Sequence, residues 1–133
     1  MTELLPLRAL AYRSRACPPL TSMDLARIAA ASRRNNALDG VTGVLVSDGD
    51  HIVQIVEGVP TAIDELMRRI RNDPRHSDVE VLYDRPTDRR LFADWNMRLD
   101  TVPPGELNPQ MFDQIVPREL RPELRDALDL AQA

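Results

Sequence analysis

Three neutral polar side chains in apolar surroundings are the residues of this chain best suited to chemistry. Gln54 interrupts a run of β-branched residues, Tyr12 lies in an apolar N-terminal segment, and Asn36 continues the apolar stripe of a predicted helix. A buried glutamine brings one acceptor and two donors, all of which need partners. Tyrosine and glutamine do not titrate near neutral pH, so they are poor ground-state acids and bases. An amide can offer either its N–H₂ or its carbonyl to one neighbour, however, which suits a hydrogen-bond switch.

Each of these residues also has a purely structural explanation. Gln54 could face water or bond a loop, since most glutamines are exposed. Asn35 and Asn36 could end a helix in left-handed geometry. His51 and His76, the only histidines, lack metal-ligand spacing and are expected in loops or at the surface. The residue types alone therefore leave both a switch and a structural role open.

The composition favours a single domain, because 43% of the 133 residues are hydrophobic and 29% are charged. The net charge is -4 and arginines are interleaved with acidic residues, so nucleic acid is not an expected partner. The first residues lack the pattern of a signal peptide, and no stretch is long enough to span a membrane, which predicts a soluble, cytoplasmic protein. Cys17 is the only cysteine, so neither an internal disulfide nor a thiolate metal cluster is expected.

The first predicted elements position Tyr12 and Asn36. The apolar segment Leu4–Arg13 predicts a central strand that is buried on both faces and has Tyr12 at its end. Thr21 and Asp24 have the spacing of a capping box and mark the start of a helix. The apolar residues that follow recur at helical spacing, and Asn36 falls on the same stripe. Asn36 should therefore point toward the sheet.

A hairpin and a second helix are predicted next. A strand at Val41–Ser47 and the strand around Gln54 flank the Asp-Gly-Asp sequence of residues 48–50, which is typical of a hairpin turn. Thr61 as N-cap and Asp64 at the capping-box position predict where the second helix starts. Its predicted buried stripe consists of Ile63, Leu66, Met67 and Ile70.

Two further strands, at Val79–Asp84 and Phe92–Leu99, complete the predicted sheet, with a polar turn at Arg85–Arg90 between them. The last of these strands contains Trp95 and Met97. The order β-α-β-β-α-β-β predicts an α+β fold of the ferredoxin-like type, with a five-stranded mixed sheet and two helices on one face.

The C-terminal residues form a separate predicted unit. We assign residues 1–100 to the sheet domain and residues 101–133 to an extension of two amphipathic helices. These helices are expected to cover the second face of the sheet, either on the same chain or across a dimer.

Six short motifs, in order along the chain, resemble those of BLUF domains, the blue-light receptors that use FAD. They are Tyr12-Arg13-Ser14, Ser32-x-x-Asn35-Asn36, Val41-Thr42-Gly43-Val44-Leu45, Gln54-x-x-Glu57-Gly58, Asp73-x-Arg75-His76 and Phe92-x-x-Trp95-x-Met97. The resemblance covers roughly Leu5 to Leu99, and the predicted topology agrees with the family's fold. It implies a short, stand-alone photoreceptor that is not itself an enzyme.

The resemblance also implies a mechanism. A flavin lies between the two helices with its ring against the sheet, and Gln54 sits between Tyr12 and the ring. Light draws an electron and then a proton from Tyr12, and Gln54 relays the proton and ends rotated or tautomerised. A hydrogen bond to the flavin C4 carbonyl changes, which shifts the absorption to longer wavelength.

The implied cofactor is FAD, with FMN or riboflavin as alternatives. The implied cofactor-binding residues are Tyr12, Asn35, Asn36, Gln54, Arg69, Asp73, Arg75 and His76. Of these, Asn36 bonds the polar edge of the ring, and Arg75 and His76 fall where the ribityl phosphate is held, a role that suits an arginine fork. The implied output runs from Gln54 through Met97 and Trp95.

The chain departs from the family pattern at Ile52 and Val53, where many relatives have a bulky aromatic residue, so dark recovery is expected to differ. The implied partner is a separate downstream protein, and a homo-oligomer is expected. Two rival hypotheses remain. One is a small acyl-phosphate hydrolase that uses Arg75 and Asn36, although a phosphate-cradling loop is missing. The other is an interaction domain without a cofactor.

Overall fold

The computed structural model describes residues 6–16, 18–90, 92–94, 96–101 and 103. The elements are β1 (Leu7–Ala16), α1 (Ser22–Asp39), β2 (Thr42–Ser47), β3 (His51–Gly58), α2 (Pro60–Asn72), β4 (His76–Thr87) and β5 (Arg98–Thr101). The strand order is β4-β1-β3-β2-β5, and the β2–β5 pair is parallel whereas the other pairs are antiparallel. An α+β fold with a mixed sheet and two helices is therefore confirmed. Cys17, Trp95 and the predicted C-terminal helices lie outside the described residues.

Both helices pack on the same face of the sheet. Alternate residues of a strand point to one side, and those on this side contact both helices. Leu10 and Tyr12 of β1 join Ile52 and Val56 of β3 in a buried apolar cluster. The helices contribute Leu25, Ile28, Ile63, Met67 and Ile70 to the same cluster. Gln54 lies between Ile52 and Val56 on this face. Neither described helix has the length and apolar character that crossing a membrane requires.

Helix α1 begins and ends with clear capping signals. The predicted capping box is confirmed, since Thr21 Oγ1 accepts from the Asp24 N–H at 3.1 Å and the Asp24 carboxylate accepts from the Thr21 N–H at 3.0 Å. The helix ends at Gly40, which has a left-handed φ of 70° and donates its N–H to the Asn36 carbonyl. Asn36 is thus inside the helix and only 1% exposed, so the prediction that it points toward the sheet is confirmed.

Strand β1 runs further than the sequence predicts. It continues to Ala16, which still pairs with His76 of β4 and donates its N–H to the Asp50 carbonyl at 2.8 Å. The prediction that Tyr12 ends this strand is therefore wrong. Tyr12 has neighbours on both sides, Gln54 on β3 and Val81 on β4.

The predicted capping box of α2 is also wrong. The N-cap is Val59, whose side chain makes no capping hydrogen bond, and Pro60 occupies the first turn. Proline suits that position because its φ is already helical and it has no N–H to leave unpaired. The Asp64 carboxylate pairs with the Arg8 guanidinium instead.

Of the last two strands, β4 is longer and β5 is shorter than the sequence predicts. Strand β4 continues to Thr87, into the predicted polar turn, whereas β5 begins only at Arg98. The described residues of 92–97 do not form a strand, because several of their backbone groups bond to side chains. The Phe92 N–H donates to the Glu57 carboxylate at 2.6 Å, and the carbonyl of Met97 accepts from Arg33 at 2.9 Å.

Gly43 allows β2 to approach β3 closely. A Cβ at this position would run into the Ile55 carbonyl, a backbone group that cannot move aside. We expect Gly43→Ala to lower the free energy of unfolding by about 3 kcal/mol, because overpacking against a backbone forces the strands apart. Urea unfolding curves measure this loss.

Gly58→Ala is the matched control. A Cβ there would lie 3.3 Å from the Val41 side chain, which can shift. We expect a loss of no more than about 1 kcal/mol. Equal losses in the two variants would contradict the close approach at Gly43.

Candidate functional site

A cleft of about 740 Å³, its open mouth included, is lined by residues of α1, α2 and the sheet face beneath them. All of the residues that the sequence analysis assigns to the cofactor line this cleft: Tyr12, Asn35, Asn36, Gln54, Arg69, Asp73, Arg75 and His76. Its apolar lining comes from Ile28, Ala31, Leu45, Leu66 and Ile70.

Tyr12 and Gln54 form the floor of the cleft. They are directly opposite each other on β1 and β3, and they are 0% and 3% exposed. The Tyr12 hydroxyl donates to Gln54 Oε1. On the other side of the amide, Gln54 Nε2 donates to the Met97 sulfur at 3.5 Å. Tyr12, Gln54 and Met97 thus make a continuous hydrogen-bonded line from β1 to the residue that precedes β5.

Tyr12 is held as a neutral phenol. Burial raises the pKa of Tyr12 far above its ordinary value, and the negative charge of Asp73 raises it further. A low-dielectric environment disfavours the phenolate, since the charge would have no water around it. Both effects favour the protonated phenol, so Tyr12 acts as a hydrogen-bond donor in the ground state.

Ser14 is a site residue that the sequence analysis named in a motif but did not assign a role. Its hydroxyl lies 2.8 Å from His76 Nδ1, and the His76 ring packs edge-on against Tyr12 with 6.3 Å between ring centroids. Burial lowers the pKa of His76, Asp73 opposes that shift, and Arg75 adds to it. The signal for Ser14 is its position two residues after Tyr12, which places both side chains on the same sheet face.

Charged residues occupy the rim of the cleft. Arg75 forms an ion pair with Asp73 at 2.7 Å, and this hydrogen bond holds the pKa of Asp73 below its ordinary value. Arg69 Nη2 binds Asp39 at 2.9 Å, but Arg69 Nε is buried and has no hydrogen-bond partner among the described residues. The Glu65 carboxylate is 4.0 Å from that nitrogen, which is too far for a hydrogen bond.

Asn36 connects the cleft to the segment before β5. Its Nδ2 donates to the Asn96 carbonyl at 2.8 Å. An amide offers two donors and one acceptor group, so Asn36 can make further hydrogen bonds to a ligand in the cleft. With the unpaired Arg69 donor, the apolar walls and the rim arginines, this lining fits a flat heteroaromatic ring that carries a phosphorylated tail.

Comparison with known proteins identifies relatives of the whole described domain. Residues 7–98 match the family profile described as BLUF, sensors of blue-light using FAD. The photoactivated adenylate cyclase subunit beta of Euglena gracilis is 35% identical over an alignment of 105 positions that covers 74% of this chain. The chain spans only 12% of that protein's length.

Solved structures give the same result. The dark-state structure of BlrB, a BLUF protein, matches with a TM-score of 0.72 at 32% identity, over 98% of this chain and 100% of that one. A bacterial light-regulated adenylyl cyclase matches with a TM-score of 0.71 at 26% identity, over 95% of this chain and 35% of the cyclase chain.

The lowered pKa of His76 predicts a pH dependence of stability. An unfolded histidine binds its proton near pH 6.5, whereas the folded one binds it only at lower pH. The stabilisation is therefore complete above pH 6.5 and is lost as the pH falls through the folded-state pKa. In His76→Gln this loss between about pH 7.5 and about pH 5.5 should be absent, as measured by urea unfolding.

His51→Gln, which removes the other histidine, is the control. Equal pH slopes in the parent protein and in His76→Gln would show that the burial of His76 contributes nothing to stability. The carboxylate of Asp73 titrates at lower pH and does not interfere in this range.

Proposed function

The chain belongs to the BLUF family, the sensors of blue light that use FAD, and we propose that light acts in it by switching the hydrogen bonds of Gln54. The observation that carries this proposal is the buried line of Tyr12, Gln54 and Met97. One end of this line is a neutral electron donor, and the other is the last residue before an edge strand.

Several residues are placed to hold the cofactor. Bound FAD supplies the absorption of blue light and an acceptor for an electron and a proton. Asn36 offers Oδ1 and one N–H to the polar edge of the ring. Arg69 offers a buried donor that has no hydrogen-bond partner in the described part of the chain. Arg75 and His76 lie together at the rim, where a cation and an imidazole suit a phosphate.

Tyr12 provides both the electron and the proton. Loss of an electron makes a phenol strongly acidic, and the Tyr12 proton then leaves toward Gln54 Oε1, to which it is already bonded. Gln54 carries the proton and ends either rotated or tautomerised. In both cases the group that it presents to the Met97 sulfur changes, because the Nε2 donor is replaced or turned away.

The output is a change in the segment that leads into β5. We propose that a separate protein reads this change, that the chain itself performs no reaction, and that Trp95 takes part beside Met97. Relatives are named as light-regulated cyclases, which supports a downstream effector. Assembly into a homo-oligomer stays a prediction.

The rival hypotheses have less support. An acyl-phosphate hydrolase would need a loop that cradles the phosphoryl group, and the sequence does not contain one. A domain without a cofactor would have no use for the buried, unpaired donor of Arg69 beside the cleft. The family match also favours light sensing over both alternatives.

Removal of the Tyr12 hydroxyl should abolish the switch. In Tyr12→Phe and in Gln54→Leu we expect flavin to remain bound and the light-induced shift to longer wavelength to disappear, because the donor or the relay is gone. Visible spectra before and after a blue flash measure the shift.

Tyr83→Phe, which makes the same chemical change at the chain's other tyrosine, is the control and should shift normally. A normal shift in Tyr12→Phe would exclude Tyr12 as the donor. A parent protein that binds flavin but does not shift would contradict the switch as a whole.

Arg75 should distinguish phosphorylated from unphosphorylated flavins. We expect Arg75→Ala to weaken FAD binding about tenfold, since a charge-assisted bond to phosphate is lost, and to leave riboflavin binding unchanged. Fluorescence titration of the flavin-free protein measures both affinities. Arg71→Ala, in the exposed last turn of α2, is the control. An equal loss for the two flavins would show that Arg75 does not contact the phosphate.

A further inference from the structure

Two side chains of α1 hold the main chain just ahead of β5. Arg33 Nε donates to the Met97 carbonyl at 2.9 Å, and Asn36 Nδ2 donates to the Asn96 carbonyl at 2.8 Å. Residues three apart on a helix lie on the same face, so one face of α1 binds two consecutive carbonyls. Helix α1 also contacts β5 directly.

Met97 is consequently bound at both its side chain and its main chain. Its sulfur accepts from Gln54 Nε2 at 3.5 Å, and its carbonyl accepts from the Arg33 guanidinium. The sulfur contact is weak because a thioether is a poor acceptor, whereas the guanidinium bond is charge-assisted. The bond from Arg33 therefore does more to keep the main chain of Met97 in place.

Strand β5 depends on such an anchor. It has only 4 residues, lies at the edge of the sheet, and pairs with β2 alone in the described part of the chain. Short edge strands are among the elements that open most easily. Its position is thus sensitive to what holds Met97, the residue immediately before it.

Arg33 is better placed than Asn36 to release its carbonyl. Asn36 is buried and lines the cleft, so its partners are fixed by packing and by the cofactor. Arg33 is exposed and does not line the cleft. Water can take the place of the carbonyl at the Arg33 guanidinium at small cost, because this side chain is exposed.

We propose that Arg33 is a latch: it holds the Met97 carbonyl in the dark arrangement, and a change at Gln54 moves β5 by releasing this bond. The inference rests on the proposed function, since it needs Gln54 to switch in light. Arg33 is a positioning residue in this scheme, because it touches neither the cofactor nor Tyr12.

Hydrogen–deuterium exchange of residues 98–101 tests the latch in the FAD-loaded protein, in the dark and under blue light. In Arg33→Gln we expect dark exchange of these amides to rise about tenfold, to the value of the illuminated parent, because the anchor is missing. Light should then add little further exchange. The spectral shift should be unchanged, since Arg33 lies outside the cleft.

Two further variants sharpen the test. Arg34→Gln changes the neighbouring exposed arginine, which lies on a different helix face, and should behave as the parent does. Arg33→Lys keeps a charged donor and should restore most of the parent's difference between dark and light. Glutamine and lysine are both good helix formers, so neither change should unfold α1.

The outcomes separate the latch from the proposed function. If Arg33→Gln keeps the parent's dark exchange and light response, the latch is wrong and the switch at Gln54 still stands. If the parent shows no spectral shift, the proposed switch at Gln54 is wrong, and this result says nothing against the bond of Arg33 itself. A merely structural role for Arg33 would raise exchange in the dark but preserve the additional rise in light, which would also overturn the latch.

Discussion

The hydrogen bond between the Tyr12 hydroxyl and Gln54 Oε1 is the interaction on which the rest of the site depends. Both residues are buried, so loss of either partner would leave an unpaired polar group at a cost of about 1–3 kcal/mol. Among the described residues, the amide nitrogen is bonded only to the Met97 thioether. The amide of Gln54 is therefore held strongly at its oxygen and weakly at its nitrogen. A group held in this way can change orientation once the bond from Tyr12 is disturbed.

The charges of the cleft are arranged so that the floor stays neutral. Asp73 and Arg75 neutralise each other at the rim, and Arg69 is paired with Asp39. Of these charges, that of Asp73 acts on Tyr12: together with burial, it raises the pKa of Tyr12. His76, between the rim and Tyr12, has a lowered pKa and is bonded to Ser14. Burial and the charge of Asp73 thus both favour the protonated phenol.

Local patterns in the sequence predicted those parts of the fold that local interactions determine. The capping box of α1, the hairpin and the inward direction of Asn36 all follow from spacing alone. The segment before β5 shows the opposite case, since its alternating apolar residues resemble a strand. Its backbone bonds instead to Arg33, Asn36 and Glu57, which are distant in the sequence. No local pattern contains that information. Ser14 differs, since its place two residues after Tyr12 predicts a shared sheet face, although its partner His76 is distant in the sequence.

Strand β3 holds the two ends of the segment between β4 and β5 with different strength. Gln54 and Glu57 are an odd number of residues apart, so they point to opposite faces of the sheet. Glu57 is 2% exposed, and its carboxylate accepts from the Phe92 N–H at 2.6 Å and from Thr42 Oγ1 at 2.9 Å. Hydrogen bonds to a carboxylate are considerably stronger than one to a thioether. Strand β3 therefore holds the segment firmly at Phe92 and loosely at Met97, which supports the proposal that a change at Gln54 acts on β5.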